Sequence, residues 1–305
     1  MVIINPDGSQ TLSTISGAII TQNHDLIAVY EDRSPVNLTE ITTPDYRQDR
    51  LPLISPDGHS VAFMSGGRLS VMDVGGSNRR RFEIAADQFE WTPDSQGLVF
   101  GSIDESRIGV VNVVSGEVIA ERTDIRLSDL GDYLSVAADG SIVVVSGSDL
   151  VVYNADLTEE TQITSLVDEY ASSVAFSPDG QTIAYAARTI NSDVFAEVFL
   201  IQRDGSNRRN LTNGAANLGS TFADLRWSSD GGSLLIDDPF TTFLADTVTG
   251  NVRDLSETAD HAYWLPDGSG MLATVYRTFV ETEDQFFRQN IVDVSASTQM
   301  EATRC

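Results

Sequence analysis

The chain of 305 residues contains no lysine, one cysteine and only three histidines. The cysteine, Cys305, is the last residue, so the sequence excludes an internal disulfide and a C-x-x-C metal or redox motif. It also lacks a His-x-x-His pair and a G-x-S-x-G motif, which argues against a zinc site of that type and a serine hydrolase. No apolar run approaches the roughly 20 residues that a membrane-spanning helix needs.

The charge of the chain is strongly one-sided. All 19 basic residues are arginine, against 45 acidic residues, and the formal net charge is −26. Because such a field repels phosphate backbones, we expect no nucleic-acid partner and favour a cationic protein or peptide. A general role in solubility explains the same charge. Abundant aspartate without lysine suits a salty or extracellular setting, although genome composition explains it equally well. The sequence does not open with a secretory segment, which leaves a cytoplasmic location or an extracytoplasmic one, periplasmic or extracellular, with the targeting segment absent from this sequence; we favour the second.

A repeated unit covers most of the chain. It contains an apolar run, S-P-D-G, two further apolar runs and G-S-N-R-R, and it is clearest at residues 51–82 and 174–212. Proline presets φ, aspartate binds nearby backbone N–H groups and glycine accepts positive φ, so each S-P-D-G predicts a hairpin turn. The turn aspartates recur every 37 to 51 residues, at Asp57, Asp94, Asp139, Asp179, Asp230 and Asp267.

The apolar runs are short and rich in Val, Ile, Phe and Tyr, which is typical of strands. Four such strands with their turns need about 40 to 45 residues, the length of one propeller blade. The sequence therefore predicts an all-β, seven-bladed β-propeller with four-stranded antiparallel blades around an axial channel, as a single domain over residues 1–305. Six or eight blades are the alternatives. Residues 1–15 are expected to close the ring with the last blade, unless residues 1–5 form an inner strand.

G-S-N-R-R occurs at residues 76–80 and 205–209, between the third and fourth strands of its units. We expect Gly, Ser and Asn to form the turn and the arginines to enter the outermost strand. Charge on an edge strand hinders aggregation through that edge.

These motifs, S-P-D-G followed by I/V-A-F/Y and then G-S-N-R-R, resemble the WD-repeat-like unit of TolB-like and tricorn-like β-propellers. The resemblance covers most of the chain and is weak before about residue 45. It implies a propeller whose axial channel binds peptides or proteins. It implies no catalytic residue, because the enzymes of that group keep their chemistry in a separate hydrolase domain.

Aspartates stand before the predicted inner strands. Ala-Asp precedes a tryptophan at residues 86–91, 223–227 and 259–264. The segments that lead into inner strands converge on one mouth of the channel, so we predict an acidic ligand-binding mouth. Its members are Asp49, Asp87, Asp168, Asp224 and Asp260. The alternative is that each aspartate binds backbone N–H groups where the chain turns. We expect the tryptophans to pack between blades.

The sequence thus favours a non-catalytic protein- or peptide-binding scaffold, with no catalytic residue, metal ligand or cofactor. Calcium is the alternative cofactor because oxygen ligands suit it, although the spacing of a dedicated calcium loop is missing. The alternative function is a propeller hydrolase or lyase that uses channel carboxylates, or the gating propeller of a hydrolase domain absent from this chain. The oligomeric state is left open.

Overall fold

The structure is a computed structural model in which the described residues form antiparallel strands. The described ranges are 18–22, 25–29, 36–37, 50–129, 133–190, 196–216, 218, 223–238, 241–255, 261–264, 271–276 and 287–292. Among them, no helix is long and apolar enough to cross a bilayer.

Five sheets of the described residues have four strands each, arranged in chain order across the sheet. Sheet 2 contains β4 (Arg50–Ile54), β5 (Ser60–Ser65), β6 (Arg68–Asp73) and β7 (Arg80–Ala85). Sheet 3 contains β8 (Gln88–Trp91), β9 (Gly97–Ser102), β10 (Arg107–Asn112) and β11 (Val118–Thr123). Sheet 4 contains β12 (Leu134–Val136), β13 (Ile142–Ser146), β14 (Asp149–Tyr153) and β15 (Glu160–Gln162).

Sheet 5 contains β16 (Glu169–Phe176), β17 (Thr182–Thr189), β18 (Glu197–Gln202) and β19 (Arg209–Asn210). Sheet 6 contains β20 (Asp224–Trp227), β21 (Ser233–Asp238), β22 (Thr241–Asp246) and β23 (Val252–Asp254). Two further sheets, each with three strands among the described residues, precede and follow these five along the chain. Sheet 1 contains β1 (Ala18–Gln22), β2 (Asp25–Val29) and β3 (Val36–Asn37), and sheet 7 contains β24 (His261–Trp264), β25 (Met271–Tyr276) and β26 (Phe287–Val292).

The first turn of a sheet is held by its own side chains. In sheet 2, the Ser55 hydroxyl donates to Oδ1 of Asp57 at 2.6 Å, and the same Oδ1 accepts the N–H of His59 at 3.0 Å. Gly58 has a φ of 74°, which glycine adopts without steric cost. Sheets 3, 5 and 6 repeat these hydrogen bonds. The predicted S-P-D-G turn is therefore confirmed, along with its hydrogen-bonding mechanism.

Tryptophans join the first strands of neighbouring sheets. In each case the indole N–H donates to a backbone carbonyl near the same end of the preceding first strand. The pairs are Trp91 with Leu53 at 2.8 Å, Trp227 with Ala175 at 3.1 Å, and Trp264 with Arg226 at 2.8 Å. The first strands of successive sheets therefore run in the same direction, side by side, and the tryptophans pack between sheets as predicted.

The core lies between the sheets. One cluster of buried apolar side chains joins sheets 3, 4 and 5, another joins sheets 5 and 6, and a third joins sheets 2 and 3. The central strands are the most buried, with residues 142–145 and 183–186 fully inaccessible. A single small sheet cannot cover both of its faces, so each relies on its neighbours for burial.

The two copies of G-S-N-R-R have the same role. The first arginine lies over an aromatic ring, with Arg79 5.0 Å from the ring centre of Phe63 and Arg208 4.0 Å from that of Phe199. The second begins the outer strand, and it donates to a carbonyl of the next sheet. The contacts are Arg80 with Val114 and Arg209 with Thr247. The outer-strand position is as predicted for the second arginine, but the motif also links neighbouring sheets, a contact that the sequence analysis missed.

The common direction of the first strands defines two faces. We call the face where first strands begin the upper face, and the face with the first and third turns of each sheet the lower face. The all-β prediction of antiparallel four-stranded units is confirmed for five sheets. The proposed ring closure by residues 1–15 lies outside the described residues, and the blade number stays a prediction.

Candidate functional site

Three of the five predicted site aspartates are described, and all three lie where a first strand begins on the upper face. Asp87 is exposed, and its Oδ2 accepts the N–H of Ile103 at 2.7 Å. Asp168 is exposed as well, and its carbonyl accepts the N–H of Ile190 at 2.7 Å. Asp49 and Asp260 lie outside the described residues. Asp87 thus performs the backbone-binding role that the sequence analysis gave as the alternative.

Asp224 is held in an ion-pair network. Nη2 of Arg226 lies 2.6 Å from its carboxylate, and Nη1 of the same arginine lies 3.1 Å from that of Asp237. Asp237 is buried and also accepts the hydroxyl of Thr242 at 2.8 Å. One guanidinium therefore serves two carboxylates, which reduces the negative charge that Asp224 presents to the upper face.

A cavity of about 540 Å³ opens on the upper face between sheets 4 and 5, and we call it the upper pocket. It is lined by the segment that leads from β11 into β12, by the turn after β13, and by the adjoining ends of β16 and β17. The lining residues with chemical function are Arg126, Ser128, Asp129, Ser148, Tyr170 and Arg188. None of these was among the predicted site residues.

An irregular hairpin forms one wall of the upper pocket. β16 and β17 have eight residues each, whereas the other first strands have three to five. The pairing shifts between Ala171 and Ser173, so the hairpin carries a bulge just below the pocket. Bulges re-aim side chains and are frequent beside active sites. The extension places Tyr170 directly across from Arg188 at the pocket wall.

Contacts from the outer part of the sheet support this extension. Arg208 pairs with Glu169 at the start of β16 and donates to the hydroxyl of Tyr185 on β17. Burial raises the pKa of Tyr185. The first arginine of the second G-S-N-R-R copy therefore joins the outer edge of sheet 5 to the hairpin behind the upper pocket.

The upper pocket brings two arginines into one cavity of a protein of net charge −26. Arg126 is exposed and forms no ion pair with the described part of the chain, while Arg188 is half-buried. Two guanidinium groups lining one cavity, Arg126 from the segment before β12 and Arg188 from β17, suit a planar anion such as a carboxylate, which arginine binds through paired, charge-assisted hydrogen bonds. The Tyr170 hydroxyl and the Asp129 carboxylate provide groups that exchange protons.

The sequence carries one signal for this site that the repeat analysis did not use. The unit at residues 166–176 is longer before its first turn than the other units: eight residues separate Asp168 from Ser177, whereas four separate Asp87 from Thr92. An insertion at the start of a first strand lengthens the hairpin on the upper face. The approach of residues 126–129 to this hairpin depends on the packing of sheet 4 against sheet 5, which the sequence does not reveal.

No group of three or more His, Cys, Asp or Glu side chains within the described ranges is arranged to hold a metal ion. A second cavity of about 540 Å³ lies on the lower face between sheets 5 and 6, and we call it the lower pocket. Its carboxylates, Asp179 and Asp230, belong to the repeated first turns. A hydrogen bond from the Ser177 or Ser228 hydroxyl lowers the pKa of each, which makes them poor proton donors.

No protein-family model and no curated protein matches the chain. Many solved structures do. An oligogalacturonate lyase in complex with manganese has a TM-score of 0.60 and 15% identity, covering 82% of this chain and 79% of its own. A second oligogalacturonate lyase, from Vibrio parahaemolyticus, also matches. Hydrazine synthase of Kuenenia stuttgartiensis has a TM-score of 0.66 and 13% identity, covering 96% of this chain and 95% of its own.

A chain of the mitotic checkpoint complex has a TM-score of 0.65 and 15% identity, covering 85% of this chain and 81% of its own. At such identities these similarities define the fold. Together with the sheets described above, they show that the chain is a β-propeller. The propeller part of the sequence-based prediction is therefore confirmed.

The prediction of a non-catalytic scaffold is not supported and is corrected here. Similar structures include oligogalacturonate lyases, which are enzymes with this fold, and these favour the alternative of a propeller hydrolase or lyase. The prediction rested on the resemblance to TolB-like and tricorn-like propellers, which implies no catalytic residue, and on the absence of serine-hydrolase and zinc motifs. Those motifs do not cover an enzyme that acts through arginine, tyrosine and carboxylate side chains from different repeats.

Proposed function

We propose that the chain is a propeller lyase acting on a saccharide that bears carboxylate groups, with the upper pocket as its active site. The observation that carries this proposal is the upper pocket itself, where Arg126 and Arg188 line one cavity of a strongly acidic protein. The fold similarity to oligogalacturonate lyases adds support, since their substrates are acidic sugars by name.

The proposed reaction is an elimination. A base removes the proton from the carbon next to the carboxylate, the carbon–oxygen bond at the following carbon breaks, a carbon–carbon double bond forms, and the departing oxygen gains a proton. Arg126 and Arg188 bind the carboxylate and stabilise the negative charge that develops on it as the proton leaves. Asp129 and Tyr170 are the lining groups available for the two proton transfers.

A bound metal could also stabilise such charge, and one similar lyase is in complex with manganese. The described residues offer no matching set of ligands, so no step of this proposal passes through a metal. Absence of a cofactor, with calcium as the alternative, stays a prediction. It is tested by running the assay below with and without added manganese, calcium and chelator.

The test is a turnover assay of the purified chain on oligogalacturonate and on a neutral galactan of similar length. We expect cleavage of the acidic substrate alone. A lyase product carries a double bond that absorbs ultraviolet light and has the mass of the substrate fragment without added water, whereas a hydrolase product has gained one water. Product mass therefore distinguishes the two enzyme classes.

Single substitutions Arg126→Gln and Arg188→Gln should each reduce kcat/KM about 10- to 150-fold, because a hydrogen bond to a charged group contributes about 1.5–3 kcal/mol. Arg126→Lys keeps the charge without the paired geometry and should fall between. The matched control is Arg81→Gln, an exposed arginine on β7, remote from the pocket. Equal activity in all four variants, or no turnover of any acidic saccharide, would refute the proposal.

Several finer predictions stay proposals. We propose seven blades in a single domain over residues 1–305, a TolB-like repeat, and a periplasmic or extracellular location, which suits a polysaccharide substrate. Asp87, Asp168 and Asp224 remain candidate ligand-binding residues of the upper face, together with Asp49 and Asp260. Joint replacement of the first three by asparagine tests this role through the affinity for a cationic peptide, which should fall while the chain stays folded.

A further inference from the structure

The lower pocket lies on the opposite face from the proposed active site and is independent of it. It is a cavity of about 540 Å³ between the first turn of sheet 5 and the first and third turns of sheet 6. Its walls include Asp179, Trp227 and Thr247. The repeat itself shows what chemistry fits such a cavity, because the equivalent place between sheets 4 and 5 is filled by the protein.

Between sheets 4 and 5, the filling group is the guanidinium of Arg203, from the third turn of sheet 5. Its Nη1 lies 2.7 Å from Oδ2 of Asp139 in the first turn of sheet 4. Its Nη2 donates to the hydroxyl of Ser141. The guanidinium carbon lies 5.8 Å from the ring centre of Phe176, the last residue of β16. A carboxylate on one side and an aromatic ring on the other therefore hold this cation.

The lower pocket has the same two walls one repeat later. Asp179 takes the position of Asp139 in the first turn, and Trp227 takes the position of Phe176 at the end of the first strand. Tryptophan is a better cation–π partner than phenylalanine. Both recognition elements are therefore present between sheets 5 and 6.

The residue that supplies the guanidinium is different. The N–H of Arg203 donates to the carbonyl of Gln181 at 2.9 Å, and the N–H of Thr247 makes the equivalent bond to Gly232 at 3.0 Å. Thr247 therefore occupies the place of Arg203, but its side chain donates to the carbonyl of Gly231 at 2.8 Å within its own sheet. It is too short to reach the carboxylate of the neighbouring first turn.

Two further features leave the lower pocket open: a contact made elsewhere in the repeat is missing, and the nearby arginine is engaged. Between sheets 2 and 3, the Ser95 hydroxyl accepts the N–H of Asp57 at 3.0 Å and joins the two first turns. The equivalent position in sheet 6 is Gly231, which has no side chain to make this contact. Arg209, the arginine in the pocket wall, is already engaged with the carbonyl of Thr247.

The carboxylate of Asp179 has an oxygen available for a ligand. Its Oδ1 accepts the Ser177 hydroxyl at 2.6 Å and the Gln181 N–H at 3.0 Å. Its Oδ2 accepts no hydrogen bond from the described residues, whereas Oδ2 of Asp139 is the atom that binds Arg203. The Ser177 hydroxyl lowers the pKa of Asp179, so the carboxylate is charged at neutral pH.

We propose that the lower pocket binds the guanidinium group of an arginine-containing ligand, between the Asp179 carboxylate and the Trp227 ring. The ligand takes the place that Arg203 occupies between sheets 4 and 5. Asp230, also in the lining, adds a second negative charge. The group comes either from an arginine side chain in a peptide or from a free arginine derivative, and both present the same chemistry to the pocket.

The experiment titrates the whole chain with N-acetyl-arginine amide, following the indole N–H signal of Trp227 by NMR and the heat of binding by calorimetry. N-acetyl-citrulline amide, which has nearly the same shape without the charge, is the matched ligand control. We expect saturable binding of the arginine compound with a dissociation constant on the order of 1 mM, as for a single charged group on an open surface. Citrulline binding should be at least tenfold weaker.

Variants of the chain separate this site from general charge attraction. Asp179→Asn should weaken binding about tenfold or more while its oxygen keeps the turn hydrogen bonds, and Thr247→Arg should abolish binding because the new side chain fills the pocket. Asp94→Asn, at the same turn position in sheet 3, is the control and should leave the affinity unchanged. Circular dichroism verifies that each variant is folded.

A gain-of-function variant gives the converse test. Arg203→Thr should create a second guanidinium site between sheets 4 and 5.

A peptide probe identifies the source of the guanidinium group. Tighter binding of an acetylated Gly-Arg-Gly peptide than of the capped amino acid would indicate a peptide ligand, and equal binding would indicate a small molecule. Equal affinities for arginine and citrulline, or unchanged arginine binding in Asp179→Asn and Thr247→Arg, would overturn the proposal. Activity on saccharides does not enter this test.

Discussion

Replacing Trp91 by phenylalanine tests how neighbouring sheets are joined. The indole of Trp91 is 5% exposed and donates to the carbonyl of Leu53 at 2.8 Å. Phenylalanine fits this position, since Phe176 occupies the equivalent place in sheet 5. The accepting residue, Leu53, is 37% exposed, so water can replace part of the lost hydrogen bond and its removal costs about 0.5–1.5 kcal/mol. The smaller ring buries less apolar area, adding about 1 kcal/mol. We therefore expect a loss of about 1.5–2.5 kcal/mol in the free energy of unfolding.

Trp227→Phe and Trp264→Phe serve as comparisons because both indoles are half-buried. Water can replace the lost hydrogen bond there, so we expect only about 0.5–1.5 kcal/mol. The measurement is the urea midpoint followed by far-UV circular dichroism, since tryptophan fluorescence changes with the substitution itself. Equal losses in the three variants, or a loss below about 0.5 kcal/mol for Trp91→Phe, would refute the role assigned to burial of the Trp91 indole between the sheets.

Three further predictions concern the turns, the packing and the repeated arginines. The Thr92 hydroxyl lowers the pKa of Asp94, so this carboxylate stabilises the fold at pH values above its unfolded pKa of about 3.9. The urea midpoint should therefore fall as the pH decreases through the lower pKa of the folded state. Asp94→Asn should reduce this dependence of the urea midpoint on pH. Gly101→Ala would bring a methyl group within 2.6 Å of the Tyr133 ring and should cost about 1–3 kcal/mol in thermal unfolding, whereas an unchanged Tm would contradict the packing. Arg208→Gln should destabilise sheet 5 by about 1–2 kcal/mol through lost stacking on Phe199, and a loss no larger than that of Arg81→Gln would argue against it.

The repeat made the local structure predictable. S-P-D-G encodes its own turn, because the hydroxyl, carboxylate and glycine that close it lie within six residues of one another. The apolar runs on either side encode strands, and the interval between turns encodes a unit of four strands. The place of G-S-N-R-R between the third and fourth strands followed from the same order, and so did the packing role of the tryptophans.

The candidate site was not predictable in this way. Asp87, Asp168 and Asp224 were chosen because they repeat, and the structure shows Asp87 bound to backbone and Asp224 paired with Arg226. The residues of the upper pocket do not repeat. Arg126 and Arg188 are 62 positions apart, the first in the segment between β11 and β12 and the second on β17. A repeat marks the positions that its units share, whereas the pocket is formed where one unit departs from the others.

The sequence by itself determined the strands, their turns and the all-β repeat, since these depend on residues that are neighbours along the chain. Only the tertiary structure decided which side chains from adjacent sheets meet. The lengthened hairpin of sheet 5 forms a cavity lined by two arginines against sheet 4. Threonine in place of arginine at the third turn of sheet 6 leaves a cavity with aspartate and tryptophan walls open on the other face. Both depend on distances across sheets, which local sequence does not encode.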